Sequence, residues 1–119
     1  MGKRKKERRN MAHKGKLKER EETLFIRTVV RTLEDKDHKE ILMNSKRAGF
    51  MFFPHHYLIT ADGTVHKMRP EESVANGELS NYDTTVAVLS DSTDKALASL
   101  KVLTEALLET YKGAELIEV

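Results

Sequence analysis

The 119-residue sequence has no cysteine, two prolines, six glycines and no apolar run approaching the roughly 20 residues of a membrane-spanning helix. Without cysteine there is neither a disulfide nor a thiolate metal site. The basic N-terminus is not followed by the apolar stretch of a secretory signal, so the chain is expected to stay in the cytoplasm where it is made. No Gly-rich phosphate loop is present, and no internal repeat. The first 22 residues contain no aromatic side chain, which removes base stacking as a way of holding single-stranded nucleic acid.

What is present is charge, unevenly distributed. The formal net charge of +2 hides a division. Lys3, Arg4, Lys5, Lys6, Arg8, Arg9, Lys14, Lys16, Lys18 and Arg20 face only Glu7 and Glu19 in the first 20 residues, a charge of +8, and the rest of the chain carries −6. Residues 1–22 bury too little apolar surface to offset ordering entropy and are expected to be a disordered basic tail. Residues 23–119 are expected to form one domain, within the usual size range. The composition, 39% hydrophobic and 34% charged, suits one modest core plus a solvated segment.

Within the domain, Thr23 to Val30 turns aliphatic and β-branched, a first buried strand. Asp35 or Asp37 caps a helix that presents Ile41, Leu42, Met43 and Ala48 on one face, and Gly49 stops it. Phe50 to Phe53 bridge into a hairpin, with Pro54 setting an extended entry. Tyr57 to Thr60 and Thr64 to Met68 are short β-prone runs joined by Asp62-Gly63, which predicts a two-residue type I′ turn with Ile59 opposite His66. Residues 70–83 have loop composition. Thr84 to Leu89 is a second buried strand, and Ser92 or Thr93 caps a long helix with Ala96, Leu97, Leu100, Leu103, Ala106, Leu107 and Tyr111 at helical spacing, closed by Gly113. Ala114 to Val119 supplies a last strand. The order β-α-β-β-β-α-β implies an α/β (α+β) domain, a central mixed sheet flanked by helices.

The run His55-His56-Tyr57-Leu58-Ile59-Thr60-Ala61-Asp62-Gly63-Thr64-Val65-His66, with Met68-Arg69-Pro70-Glu71-Glu72-Ser73-Val74-Ala75 after it, resembles the phage T-seven-lysozyme-like N-acetylmuramoyl-L-alanine amidases and the peptidoglycan recognition proteins. The resemblance extends through Leu24-Phe25-Ile26, Lys39-Glu40-Ile41, Gly49-Phe50, Thr85-Val86-Ala87-Val88 and Tyr111-Lys112-Gly113-Ala114, nearly the whole chain after residue 22. It implies an amidase-like sheet flanked by helices and, for a phage product, a site in the host cytoplasm.

The same resemblance implies a zinc ion with three protein ligands and an open position for water, and here the chain departs from it. The first ligand, a histidine, ends the strand motif that reads Leu24-Phe25-Ile26-Arg27, and a guanidinium has no lone pair to donate. The other two are expected beyond Val119, where the sequence stops. His55 stands where the family has tyrosine, although His56 is retained. Gly77 stands where the family has a cleft histidine, and Thr84-Thr85-Val86-Ala87 replaces an Asn-Ser-Ile-Gly signature.

The remaining histidines do not rebuild a metal site in the predicted hairpin, which sets His55 roughly 13 Å along the ladder from His66 and turns His56 to the other face. Glu71 and Glu72 are adjacent and splayed, Glu105 and Glu109 form an i, i+4 pair, and all four read as solvated charges. Ser90-Asp91-Ser92 reads as a strand end and helix cap. No catalytic residue, metal or cofactor is therefore expected.

The expected function is a catalytically inactive amidase-like protein that serves as a binding or regulatory module. Its expected partner is a protein, with RNA polymerase or a nucleoprotein assembly as the class, because relatives resembling the phage lysozyme also bind and inhibit RNA polymerase. The tail cations are the expected attachment residues, and Arg27, His55 and His56 mark a vestigial cleft. Two alternatives stand beside this reading: a peptidoglycan N-acetylmuramoyl-L-alanine amidase, and a sequence-independent nucleic-acid binder acting through residues 1–20. The tail also reads as a mere solubilising terminus. No membrane association is expected.

Overall fold

The computed structural model describes residues 19–33, 37–49, 53–75 and 84–119. Aliphatic and β-branched residues build the two inner strands, β1 (Phe25–Val30) and β4 (Thr85–Ser90), and β4 is buried on both faces along most of its length. Between them lie α1 (His38–Arg47), β2 (Tyr57–Ile59) and β3 (Val65–Lys67), and after them α2 (Asp94–Thr110) and β5 (Glu115–Glu118). The predicted element order is the observed one.

The five strands form one sheet in the order β3-β2-β4-β1-β5. β1 is parallel to both β4 and β5, β2 is parallel to β4, and only β3 runs antiparallel, against β2. Alternation along the strands separates two apolar layers. Ile26, Ile59, Val86 and Val88 pack on Ala96 and Leu107 of α2, whereas Leu58 packs with Ile41 of α1 and Phe53. One helix therefore covers each face.

Capping residues set the helix starts. Asp37 accepts hydrogen bonds from the Lys39 and Glu40 amides, both at 3.0 Å, and Thr93 accepts from the Ala96 amide at 3.1 Å. Gly49 and Gly113 follow the two helices with φ of +106° and +90°.

The hairpin differs from the expected two-residue turn. Gly63 alone has positive φ, +87°, so Asp62 is not in the left-handed region that type I′ demands. The Gly63 amide donates to the Thr60 carbonyl at 2.8 Å and the Thr60 amide to the Thr64 carbonyl at 3.1 Å, which makes Ala61-Asp62-Gly63 a three-residue loop. Asp62 accepts from the Thr60 hydroxyl at 2.8 Å and the Thr64 amide at 3.0 Å, and these bonds favour the longer loop. The register moves by one residue, so Ile59 faces Val65 and Leu58 faces His66. His66 thereby reaches the α1 face and stacks on His38, with ring centroids 4.1 Å apart.

Candidate functional site

Where β2 enters the sheet, a side chain completes the ladder. The His56 amide donates to the Ala87 carbonyl at 2.9 Å, and the Ala87 amide returns a bond to His56 Nδ1 at 3.0 Å. Since Nδ1 accepts, the proton lies on Nε2, which donates to the Ser73 carbonyl at 2.6 Å. His56 is fully buried, and burial first, then the charges of Arg20 and Arg69, push its pKa down to about 4 despite the opposing bond to Ser73. Expected at a cleft, it is a neutral strut joining β4 to the 69–75 loop.

Arg69 holds the other side of that loop. Its guanidinium is buried and donates to the Phe53 carbonyl at 2.8 Å, the Val74 carbonyl at 2.7 Å and the Ser73 hydroxyl at 3.1 Å. The sequence pattern assigns Arg69 no role. Its only signal was a cation inside the Met68 to Ala75 motif.

Arg20, expected among the tail cations, is bound into the domain instead. Its guanidinium donates to the Thr23 hydroxyl at 2.8 Å, the Ser73 carbonyl at 3.0 Å, the Tyr111 hydroxyl at 3.2 Å and the Glu71 carbonyl. It also lies 5.6 Å from the Tyr111 ring centroid. The Arg20 amide donates to the Glu72 carbonyl at 2.5 Å, and Glu19 forms a bridge with Ser73. Contacts with the domain thus begin before the expected boundary at residue 22. Lys3, Arg4, Lys5, Lys6, Arg8, Arg9, Lys14, Lys16 and Lys18 lie outside the described residues, as does Gly77.

Glu71 corrects a second expectation. It is half-buried, not a solvated charge, and accepts from the Tyr57 hydroxyl at 2.5 Å and from the Tyr111 hydroxyl. Burial alone raises its pKa, but the two hydroxyls and the Arg20 and Lys67 charges outweigh that and hold it below the usual value. Burial and the bond to Glu71 in turn raise Tyr111 to about 12. Neither tyrosine supplies a phenolate near neutral pH. Glu72, Glu105 and Glu109 are exposed, as expected.

The other two expected cleft residues, Arg27 and His55, lie in β1 and just ahead of β2. Arg27 sits in β1 opposite Ala87, on the sheet face away from α2, and stays partly exposed. Its charge is felt at His55, whose ring lies 5.8 Å from that of Phe53. Burial, then His56, Arg27 and Arg69, push His55 down to about 4, and its Nδ1 is shielded from solvent without a hydrogen-bond partner.

This architecture is shared with solved structures. The N-acetylmuramoyl-L-alanine amidase LysC from Clostridium intestinale is 20% identical with a TM-score of 0.77, over 87% of this chain and 74% of that one. An endolysin from a Thermus scotoductus bacteriophage is 20% identical with a TM-score of 0.73, over 92% and 80%. Drosophila peptidoglycan recognition protein SD is 19% identical with a TM-score of 0.68, over 87% and 73%. The chain has the amidase and peptidoglycan recognition protein fold. No family model matches it, and no curated protein matches it in sequence.

The zinc expected of that resemblance does not fit the amidase-fold residues described here. Arg27 brings a guanidinium to the first-strand position. Both ring nitrogens of His56 are engaged with backbone groups. Among the described residues no three His, Asp or Glu side chains are grouped to hold a metal.

Proposed function

We propose that this chain is an amidase-fold protein that does not hydrolyse the N-acetylmuramoyl-L-alanine bond and works as a binding or regulatory module. The observation that carries the reading is Arg27. Zinc-assisted amide hydrolysis needs neutral or anionic donors that leave a position for water, and a permanently protonated side chain repels the ion. The half-buried carboxylate at Glu71 is no substitute, because two tyrosine hydroxyls already occupy its oxygens.

The partner class we favour is a protein, with RNA polymerase or a nucleoprotein assembly as the candidates. A basic N-terminal segment ahead of an acidic domain supports this, since such a segment attaches to phosphate-rich or acidic surfaces. The deciding experiment incubates the purified full chain, with and without added zinc, with muropeptides and follows free stem peptide by mass spectrometry. No release above the buffer blank is expected. Chelator-sensitive release would establish an amidase instead.

A further inference from the structure

The outer face of α2 is apolar where a solvated helix is ordinarily polar. Val102, the central residue of this 17-residue helix, is 67% exposed, more than any other large hydrophobic among the described residues. Beside it a groove of about 520 Å³ runs between α2 and the edge strand β3, lined by Val65, Ala98, Ser99, Val102, Leu103 and Ala106. Val65 is itself 41% exposed. Ala96 and Leu107 hold the other side of α2 against the sheet. At about 100° per residue, Lys95, Ala98, Val102, Ala106 and Glu109 then share one outward arc, and all five are exposed.

The spacing of those five residues is three, four, four and three, which is symmetric about Val102. The charges are arranged about the same centre. Lys95 lies seven residues before Val102 and Glu109 seven after it, and neither has an ion pair among the described residues. Each also stands at the unfavourable end of its own helix dipole, a cation in the first turn and an anion in the last. Asp94 offsets Lys95, but no basic residue in the last turn offsets Glu109.

A two-fold interface requires every contact to be returned: if one residue touches a second on the other copy, the second touches the first in exchange. Antiparallel pairing of α2 with another α2, about an axis through Val102, meets that condition. Lys95 faces Glu109 of the other copy, Ala98 faces Ala106, and the two Val102 side chains meet at the axis and fill the grooves beside Val65. The alanine methyls let the helices approach at the short end of the usual 8–10 Å. Each out-of-place charge gains an opposite charge and the opposite dipole end.

We propose that the outer face of α2 is a docking surface for a second copy of this chain, paired antiparallel and two-fold symmetric about Val102. The face is separate from the Arg20–Glu71 network and from the sheet face that carries Arg27, so the pairing does not depend on whether the chain hydrolyses amides. One helix face and an adjoining groove make a small interface, and a dissociation constant between about 10 μM and about 1 mM is expected.

The test is sedimentation equilibrium of the full chain across that concentration range at low ionic strength. The weight-average mass is expected to rise from that of the monomer toward twice it. Val102→Glu is expected to weaken association about tenfold or more. Lys95→Glu and Glu109→Lys, which set like charges against each other twice per dimer, each weaken it about threefold or more, and the double variant with both reversals recovers most of the loss. Far-UV circular dichroism of the dilute variants is expected to match the wild type, because every substituted position is exposed and both reversals suit the helix dipole.

A chain that stays monomeric throughout overturns the proposal and leaves the groove to a different protein. A dimer that survives Val102→Glu overturns it by placing the contact elsewhere. A dimer lost in Val102→Glu but indifferent to the charge reversals, or not recovered in the double variant, overturns the antiparallel pairing.

Discussion

Arg20 and His56 show how much a single polar side chain does when burial leaves backbone groups in need of partners. His56 supplies one acceptor and one donor, to Ala87 and Ser73, and only the neutral ring with its proton on Nε2 does both. The pH dependence follows. His55 and His56 are both held near 4 in the folded chain, while in the unfolded chain each titrates near the ordinary 6.5. Between these values the unfolded state binds more protons, so stability rises with pH. The contribution is complete above about 6.5 and is lost as pH falls toward 4. Summed over the two rings it is on the order of a few kcal/mol. Urea denaturation at pH 7.5 and pH 5 is expected to show a clearly lower midpoint at pH 5, and a flat profile over that range would contradict the buried neutral state. Glu71 teaches a related lesson: its tyrosine partners lie 14 and 40 residues away, so adjacency to Glu72 said nothing about its environment.

Among the elements, the hairpin carries the most information about register. Asp62-Gly63 marks a turn in the sequence, but loop length was decided by local hydrogen bonds of Asp62 and by packing on α2. The Ser99 hydroxyl donates to the Gly63 carbonyl at 2.6 Å, and a Cβ at residue 63 would meet the Lys95 carbonyl oxygen at 3.0 Å. Gly63→Ala therefore combines a left-handed backbone with a steric conflict against helix backbone. A loss of about 1–3 kcal/mol is expected, measured as a lowered urea midpoint at unchanged m-value. A change below a few tenths of a kcal/mol would show that α2 moves aside without resistance. The helices were more legible, because Asp37 and Thr93 act through bonds to amides two or three residues away.

Across the whole molecule, a sheet with one helix on each face brings four distant segments to the N-terminal end of β4: residues 19–24, the 53–56 entry, the 69–75 loop and the C-terminal end of α2. The basic segment ahead of Glu19 is tethered there through Arg20. If that segment binds nucleic acid, its cations displace counterions, and the logarithm of the binding constant falls linearly with the logarithm of salt concentration, by about 0.9 per phosphate neutralised on a duplex. Filter binding of the full chain to duplex DNA of unrelated sequences is expected to give similar, strongly salt-dependent affinities, and a chain lacking residues 2–18 is expected to lose them. Retention that ignores salt, or survives the deletion, would move the contact to the domain.

The sequence alone determined the element order, the mixed sheet, two candidates for the N-cap of each helix and the likeness to amidases. These depend on periodicity, on side chains acting within three or four residues, and on motif order along the chain. Tertiary structure decided the hairpin register, the burial of His56 and Glu71, and the roles of Arg69 and Arg20. Each of these depends on groups brought together from separate strands and loops, and on water excluded where they meet. Local pattern carries no record of either.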